Sequence, residues 1–346
     1  MTAGEGRAPA GAALRPGSRL AGYRIERVLG RGGMGSVYEA SQVSLERRVA
    51  LKVISPELGA DESFRERFRR EARIAATVEH PNLLPVYEAG ETRDGRLYIS
   101  MRYVDGDDLE SRLRRLGPLG AAEALAIFGQ VAGALDAAHA AGLIHRDVKP
   151  ANVLLEERRG AAYAYLADFG LAKELAGPPA GAKTRSLLGT VDYMAPEQVA
   201  GEGYGAGVDI YAFGGMVYRA LTGSVPYRRD TSAATLVAHR EAPVPRPTQR
   251  APELPSAFDD LVARAMAKDP SSRAASAGEL IHRVTRELEY AGMPVEGAEA
   301  PTVVDATGQA SEPLRDGRSL ILRTAMYIAV YAPIWVAAYL IGRYLL

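Results

Sequence analysis

His145-Arg146-Asp147-Val148-Lys149-Pro150-Ala151-Asn152 gathers a carboxylate, a lysine and a carboxamide in one short run. An Ala-rich stretch with helical character, residues 119–141, comes before it. Residues 152–155, apolar from Val153 on, suit a strand. Further on, Asp168-Phe169-Gly170 follows a second short strand at 163–167. Magnesium prefers hard oxygen ligands and takes one or two of them from protein when phosphates supply the rest. Asn152 and Asp168 offer such oxygens. Asp147 is then left to accept the proton of a substrate hydroxyl. Any one of these groups alone is an ordinary loop residue, and Asp-Phe-Gly by itself carries almost no information.

Upstream the pattern changes to alternation. Residues 23–29, 36–40 and 49–54 read as three consecutive strands. Leu29-Gly30-Arg31-Gly32-Gly33-Met34-Gly35-Ser36-Val37 links the first two. Its glycines let backbone approach phosphates closely and adopt positive φ. A dinucleotide fingerprint would lead into a helix, whereas Ser36–Ala40 alternates as a strand, so these glycines cap a hairpin. No Gly-Lys-Ser/Thr follows, which excludes a Walker A loop. Val49-Ala50-Leu51-Lys52 places a lysine on an apolar strand in a chain that is otherwise Arg-rich, its lysines being Lys52, Lys149, Lys173, Lys183 and Lys268. A lysine facing the glycine loop would neutralise phosphate oxygens, and a carboxylate would be needed to hold it. The helical segment 62–78 sets Phe64, Phe68, Ala72 and Ala75 on one side and offers Glu66, Glu71 and Glu79; Glu71, mid-helix, is placed to face inward. Two more strands, 82–88 and 97–104, are joined by the turn at Arg93-Asp94-Gly95.

After Gly106 the character becomes helical, with segments near 207–221, 231–240, 258–266 and 277–290. The reading is therefore an α+β, two-lobed fold: a small antiparallel β lobe with one helix (about 20–103), a hinge near 102–106, and a larger helical lobe (about 104–290). Residues 1–19 read as a disordered tail without a signal peptide's apolar stretch. Residues 291–319 read as a disordered juxtamembrane linker. Lys plus Arg total 42, as do Asp plus Glu, so charge makes no case for nucleic acid as a partner. The chain has no cysteine, which excludes disulfides, thiolate catalysis and Cys-type zinc sites.

Taken together, Gly30/Gly32/Gly35, Val49-Ala50-Leu51-Lys52, His145–Asn152, Asp168-Phe169-Gly170 and Ala195-Pro196-Glu197 resemble the protein-kinase signature in order and spacing. The resemblance covers residues 20–290 and is nearest to bacterial eukaryotic-like (Hanks-type) Ser/Thr kinases. It implies ATP and Mg²⁺ or Mn²⁺ as cofactors, and Ser/Thr-bearing proteins as substrates. It implies that Lys52 contacts the nucleotide phosphates and pairs with Glu71. Asp147 would be the base, Lys149 would steady the transferred phosphate, and Asn152 and Asp168 would bind metal. Leu29, Gly30, Arg31, Gly32, Gly33, Met34, Gly35, Val37 and Ala50 would line the ATP site, with backbone of Arg102 and Val104 on adenine and Met101 as gatekeeper. Arg102 stands where the family often has Glu; backbone does the binding there. Thr190 matches the position that contacts Lys149 and Asp147 in Ser/Thr kinases. Asp209 and the Glu197–Arg273 pair match structural roles. Arg146 before the aspartate implies control by activation-loop phosphorylation, with Thr184 and Ser186 as candidate autophosphorylation sites. The competing readings are a catalytically weak pseudokinase acting as a membrane-anchored nucleotide-binding scaffold, and a small-molecule kinase. The first would normally lack Lys52, Asp147 or Asp168; against the second stand Thr190 and the Ala195–Glu197 segment.

Residues 324–342 carry no formal charge and would span ~28 Å as a helix, close to the ~30 Å hydrocarbon core. A single transmembrane helix is expected over 320–343. Arg315, Arg318 and Arg323 precede it and Arg343 alone follows, which puts the kinase on the cytoplasmic side of the inner membrane. Residues 344–346 would form a short extracytoplasmic end with no sensor domain. Tyr327, Tyr331, Trp335 and Tyr339 fall on one helical face, where the outer two suit interfacial anchoring and the inner two suggest contact with a homodimer mate or membrane partner.

Overall fold

In the computed structural model, residues 14–168, 191–201 and 205–293 are described. Alternation in the first hundred residues becomes an antiparallel sheet. Its strands are β1 (Arg19–Leu20), β2 (Tyr23–Gly32), β3 (Gly35–Gln42), β4 (Arg47–Ile54), β5 (Val86–Glu91) and β6 (Leu97–Arg102). The spatial order is β1-β2-β3-β4-β6-β5. Between β4 and β5 the chain forms the short α1 (Pro56–Gly59) and the longer α2 (Glu62–Thr77). Asp61 caps α2, its side chain accepting from the N–H groups of Ser63 and Phe64. Phe64, Phe68, Glu71 and Ala72 are the buried residues of α2. The two phenylalanines share a core cluster with Leu97, Ile99 and Met101 of β6. Of the three glutamates, Glu66 and Glu79 are exposed and Glu71 is buried, as the pattern predicts.

The helical lobe begins with a small sheet, β7 (Asp107–Asp108), α3 (Leu109–Leu116) and α4 (Ala121–Ala140), then β8 (Val153–Arg158) and β9 (Ala161–Leu166). Next come α5 (Pro196–Ala200), α6 (Gly207–Thr222), α7 (Ser232–Glu241), α8 (Ala257–Ala265) and α9 (Ala277–Tyr290). By length and composition α4 could cross a membrane, but it is the core helix of this lobe. Its Ile127, Phe128, Val131 and Leu135 share one apolar cluster with α6, α8 and α9.

In the layout of its elements the structure departs from the sequence reading in three places. Leu14 is buried and its N–H donates to the Tyr38 hydroxyl at 3.2 Å, so the described part of the tail expected over 1–19 is held against the sheet. The strand expected at 82–88 starts later, because Asn82 is held toward the helical lobe. Its side-chain amide donates to the Ala164 carbonyl and to Gln130, both at 2.9 Å. Helix α3 is not apparent from the sequence: only Leu109 and Leu113 are buried among its charged residues, and Asp108 caps it through the Ser111 N–H. The expected phosphosites Thr184 and Ser186, Thr190, most of the linker and the 320–343 segment lie outside the described residues.

Candidate active site

Asp209, in the first turn of α6, organises the catalytic-loop candidate. It is almost fully buried, with 1% of its side chain exposed. Its Oδ2 accepts the His145 N–H at 2.7 Å and lies 2.8 Å from His139 Nε2; its Oδ1 accepts the Arg146 N–H at 2.7 Å. Two consecutive amides are thereby pulled toward one carboxylate, and Arg146 takes a left-handed φ of 62°. That conformation is costly for a non-glycine residue and persists only where its surroundings over-determine it.

His145, fully buried, ties this loop to the strand before Asp168. Its Nε2 donates to the Ala167 carbonyl at 2.9 Å, and its Nδ1 accepts the Asp147 N–H at 3.2 Å. One ring nitrogen donating and the other accepting defines the neutral imidazole. Burial lowers the His145 pKa in the same sense, outweighing the opposing pull of Asp209. The carboxylate of Asp147 accepts from Lys149 Nζ at 2.9 Å, and the Asn152 amide donates to the Asp147 carbonyl at 2.7 Å. With its nitrogen so engaged, Asn152 keeps its side-chain oxygen for another partner. The loop thus brings Asp147, Lys149 and Asn152 together as their spacing predicts.

The two lobes meet through Lys52. It lies on β4 opposite Val37 and Ile99, and its Nζ donates to Asp168 Oδ1 at 2.7 Å. Asp168 has a positive φ of 58°. The expected Lys52–Glu71 pair is replaced by another arrangement. Glu71 Oε1 instead accepts from Arg146 NH1 at 3.0 Å, both side chains being largely buried. The reason is geometric. Glu71 faces inward as expected, but the guanidinium of the catalytic loop reaches it, and Lys52 takes the carboxylate of Asp168.

The glycine loop forms the β2–β3 hairpin, with Gly32 opposite Gly35. Of Gly30, Gly32 and Gly35, only Gly35 is required by the fold itself: it has φ 141°, and a Cβ there would fall 2.0 Å from the Val53 carbonyl oxygen. A Cβ on Gly30 or Gly32 would meet nothing within 4 Å. Leu29, Arg31 and Gly33 are exposed and Met34 and Val37 half-buried along this hairpin. At the hinge, Ala50 pairs with Met101 and Val49 with Arg102. The Arg102 N–H is taken by the Pro85 carbonyl at 2.9 Å, whereas no hydrogen bond among the described residues engages the Val104 backbone. Met34, Lys52, Ala75, Met101 and Asp168 line a cavity between the lobes.

These features admit a nucleotide and metal. Open backbone at Gly30 and Gly32 suits close phosphate approach, and the free Val104 amide suits a base edge. Among the described residues no three His, Asp or Glu side chains converge as a metal cage. An ion held by Asp168, Asn152 and phosphate oxygens does not need one.

Farther out, Arg273 pairs bidentately with Glu197, NH1 to Oε1 at 2.6 Å and NH2 to Oε2 at 2.8 Å. It also donates to the carbonyls of Gly207 and Ala267. This fully bonded pair joins α5 to the base of the lobe, as its motif match predicts. The sequence reading assigned no role to His139 or His145. For His145 the available signal was its place next to Arg146-Asp147; for His139 there was none, because it meets Asp209 only across the fold.

Residues 23–284 match the sequence model of the family described as Protein kinase domain. Among curated proteins, the chain is 44% identical over 266 residues to serine/threonine-protein kinase PknH of Mycobacterium tuberculosis, covering 77% of this chain and 42% of PknH. It is 45% identical over 282 residues to serine/threonine-protein kinase PknJ of the same organism, covering 81% of this chain and 47% of PknJ. The chain therefore spans less than half the length of these relatives. Among solved structures, the M. tuberculosis PknI kinase domain superposes with a TM-score of 0.65 at 36% identity, covering 81% of this chain and all of that domain. A family match across most of the chain agrees with the two-lobed fold and with the loop built around Asp147, and the chain belongs to the protein kinase family.

Proposed function

We propose that this chain is an ATP-dependent Ser/Thr protein kinase that moves the γ-phosphate to Ser or Thr hydroxyls of proteins. The observation that carries this reading is the 2.7 Å contact by which Lys52 of the sheet lobe reaches Asp168 beside the loop of Asp147, Lys149 and Asn152. Phosphoryl transfer asks for positioning and charge neutralisation more than covalent chemistry. Asp147, held by its own N–H on His145, would accept the hydroxyl proton. Lys149, already on Asp147, would neutralise the transferred group. Lys52 would turn from Asp168 to the phosphates, leaving Asp168 and Asn152 for metal. Mg²⁺ or Mn²⁺, when bound, would supply charge neutralisation between the phosphates. The glycine loop from Leu29 to Val37 would cover the phosphates, with Ala50 against the base and the backbone of Arg102 and Val104 along its edge.

The same reading extends to regulation. A phosphate on Thr184 or Ser186 would compete with Glu71 for Arg146, since a doubly charged group binds a guanidinium more strongly than a carboxylate does. Glu71 would then be released to Lys52. Thr190 would contact Lys149 and Asp147 on the substrate side. Residues 320–343 would anchor the chain in the inner membrane with the kinase domain cytoplasmic. Recovery of the full chain in a carbonate-washed membrane fraction supports the anchor, and recovery in the soluble fraction removes it.

The catalytic reading is tested by incubating the full chain with ATP and Mg²⁺ or Mn²⁺ beside Asp147→Asn, then mapping added phosphate by mass. Phosphate on the wild type and loss of it in the variant are expected, with Thr184 or Ser186 among the sites. An unmodified wild type with both metals, or an equally modified variant, overturns it.

A further inference from the structure

Next to the loop of Asp147 lies a second cavity, of about 530 Å³, which shares only Lys149 with the groups placed above on nucleotide and metal. Its charged lining consists of Lys149, Glu110 of α3, Asp192, Arg219 of α6, and Arg228 and Arg229 after that helix. Four cations thus face two carboxylates, and their pairing decides what remains available. Lys149 is on Asp147 at 2.9 Å. Arg219 is on Glu110 at 3.1 Å. Asp192 is half-buried with its pKa raised, first by burial and then by the charge of Glu110, with Arg219 opposing. Arg219 is therefore committed to Glu110, with Asp192 within reach of its charge. Arg228 and Arg229 are exposed, and no ion pair among the described residues engages either of them.

Granted the kinase reading, we propose that this cavity is a subsite for an acidic side chain of the protein substrate, Asp, Glu or a phosphorylated residue, with Arg228 and Arg229 as specificity-determining cations. Lys149 both touches Asp147 and lines the cavity, so an acceptor hydroxyl at Asp147 and the subsite lie close together. An extended peptide advances roughly 3.3 Å per residue, so the acid would stand within a few residues of the acceptor. Guanidinium forks match carboxylate and phosphate oxygens in pairs. A basic substrate side chain would have to displace Arg219 from Glu110, and would meet Arg228 and Arg229 as like charges.

The test uses the full chain and a neutral Ser/Thr peptide in which each of the four positions on either side of the acceptor is changed in turn to Glu, phosphoserine or Arg. At one of these positions Glu and phosphoserine should raise kcat/KM about fivefold or more, an advantage that shrinks as salt rises. In Arg228→Ala/Arg229→Ala the ratio of acidic to neutral peptide should fall to about one. In Arg228→Glu/Arg229→Glu it should invert in favour of the Arg peptide. No acid preference in the wild type, a preference that survives both double variants, or a wild-type preference for Arg overturns the subsite. The same peptides, fluorescently labelled, are also titrated by anisotropy. If no peptide is phosphorylated, the kinase reading has failed, and binding still decides the subsite: tighter binding of acidic peptides, lost in the double variants, upholds it, and equal binding overturns it.

Discussion

Asp209 shows how much of the site rests on a buried residue. Both of its oxygens are occupied, by the N–H groups of His145 and Arg146 and by His139. Asp209→Asn keeps the volume but replaces one acceptor with a donor facing an N–H. One buried amide would lose its bond and the left-handed Arg146 would lose a tether. A loss of roughly 2–4 kcal/mol is expected in urea unfolding, together with a fall in kcat larger than any rise in KM. The run 145–152 was legible in the sequence because its chemistry lies within a few consecutive positions. What Glu71 touches was not legible, because the choice between Lys52 and Arg146 depends on where α2 sits over the catalytic loop. A second residue-level prediction concerns His239. Burial, aided by the nearby charge of Lys268, lowers its pKa from 6.5 to about 4. The folded protein therefore takes up this proton later than the unfolded chain as pH falls. The stabilisation is fully present above pH 6.5 and is lost between 6.5 and 4, by roughly 3 kcal/mol. His239→Gln should flatten the pH dependence of the unfolding free energy in that window; an unchanged slope would show that another group sets it.

At the scale of elements, the β2–β3 hairpin separates two uses of glycine that look alike in sequence. Gly35 is fixed by the fold, since a Cβ would strike the Val53 carbonyl at 2.0 Å and φ is 141°. Gly30 and Gly32 meet nothing, so their freedom serves what approaches from outside. Gly35→Ala should destabilise the sheet lobe by roughly 3 kcal/mol, seen as earlier unfolding. Gly32→Ala should unfold close to wild type and instead raise the KM for ATP. Equal unfolding of the two variants would contradict this division. Strand alternation made the hairpin readable, whereas β5 was displaced from its expected start because the Asn82 amide is bonded to the helical lobe. That bond depends on Ala164, 82 residues away in sequence, and no local pattern encodes it.

At the scale of the whole molecule, the sheet lobe and the helical lobe present opposite charges to each other across the cleft. Lys52 meets Asp168, and Glu71 meets Arg146. Both pairs cross between lobes, so each helps set how the lobes are placed. A nucleotide with its metal would contact Lys52 and Asp168 at once, replacing one ion pair with a larger set of contacts bridging the same lobes. Ligand that binds only the folded state stabilises it by about 2.7 kcal/mol at a hundredfold excess over Kd. For a domain of this size that is roughly 5–10 °C in Tm. ATP with Mg²⁺ should therefore raise Tm by several degrees, and ATP with chelator by less. Asp168→Asn should lose only the metal-dependent part, because the glycine loop, Lys52 and hinge remain. Lys52→Met should lose the larger share, because it removes the cation proposed for the phosphates while leaving the proposed metal ligands Asp168 and Asn152 intact. Thermal shifts measured with ATP, ATP plus metal and neither, on all three proteins, separate these terms. If Asp168→Asn shows the same metal-dependent increment as wild type, the ion is held elsewhere and the assignment of Asp168 fails.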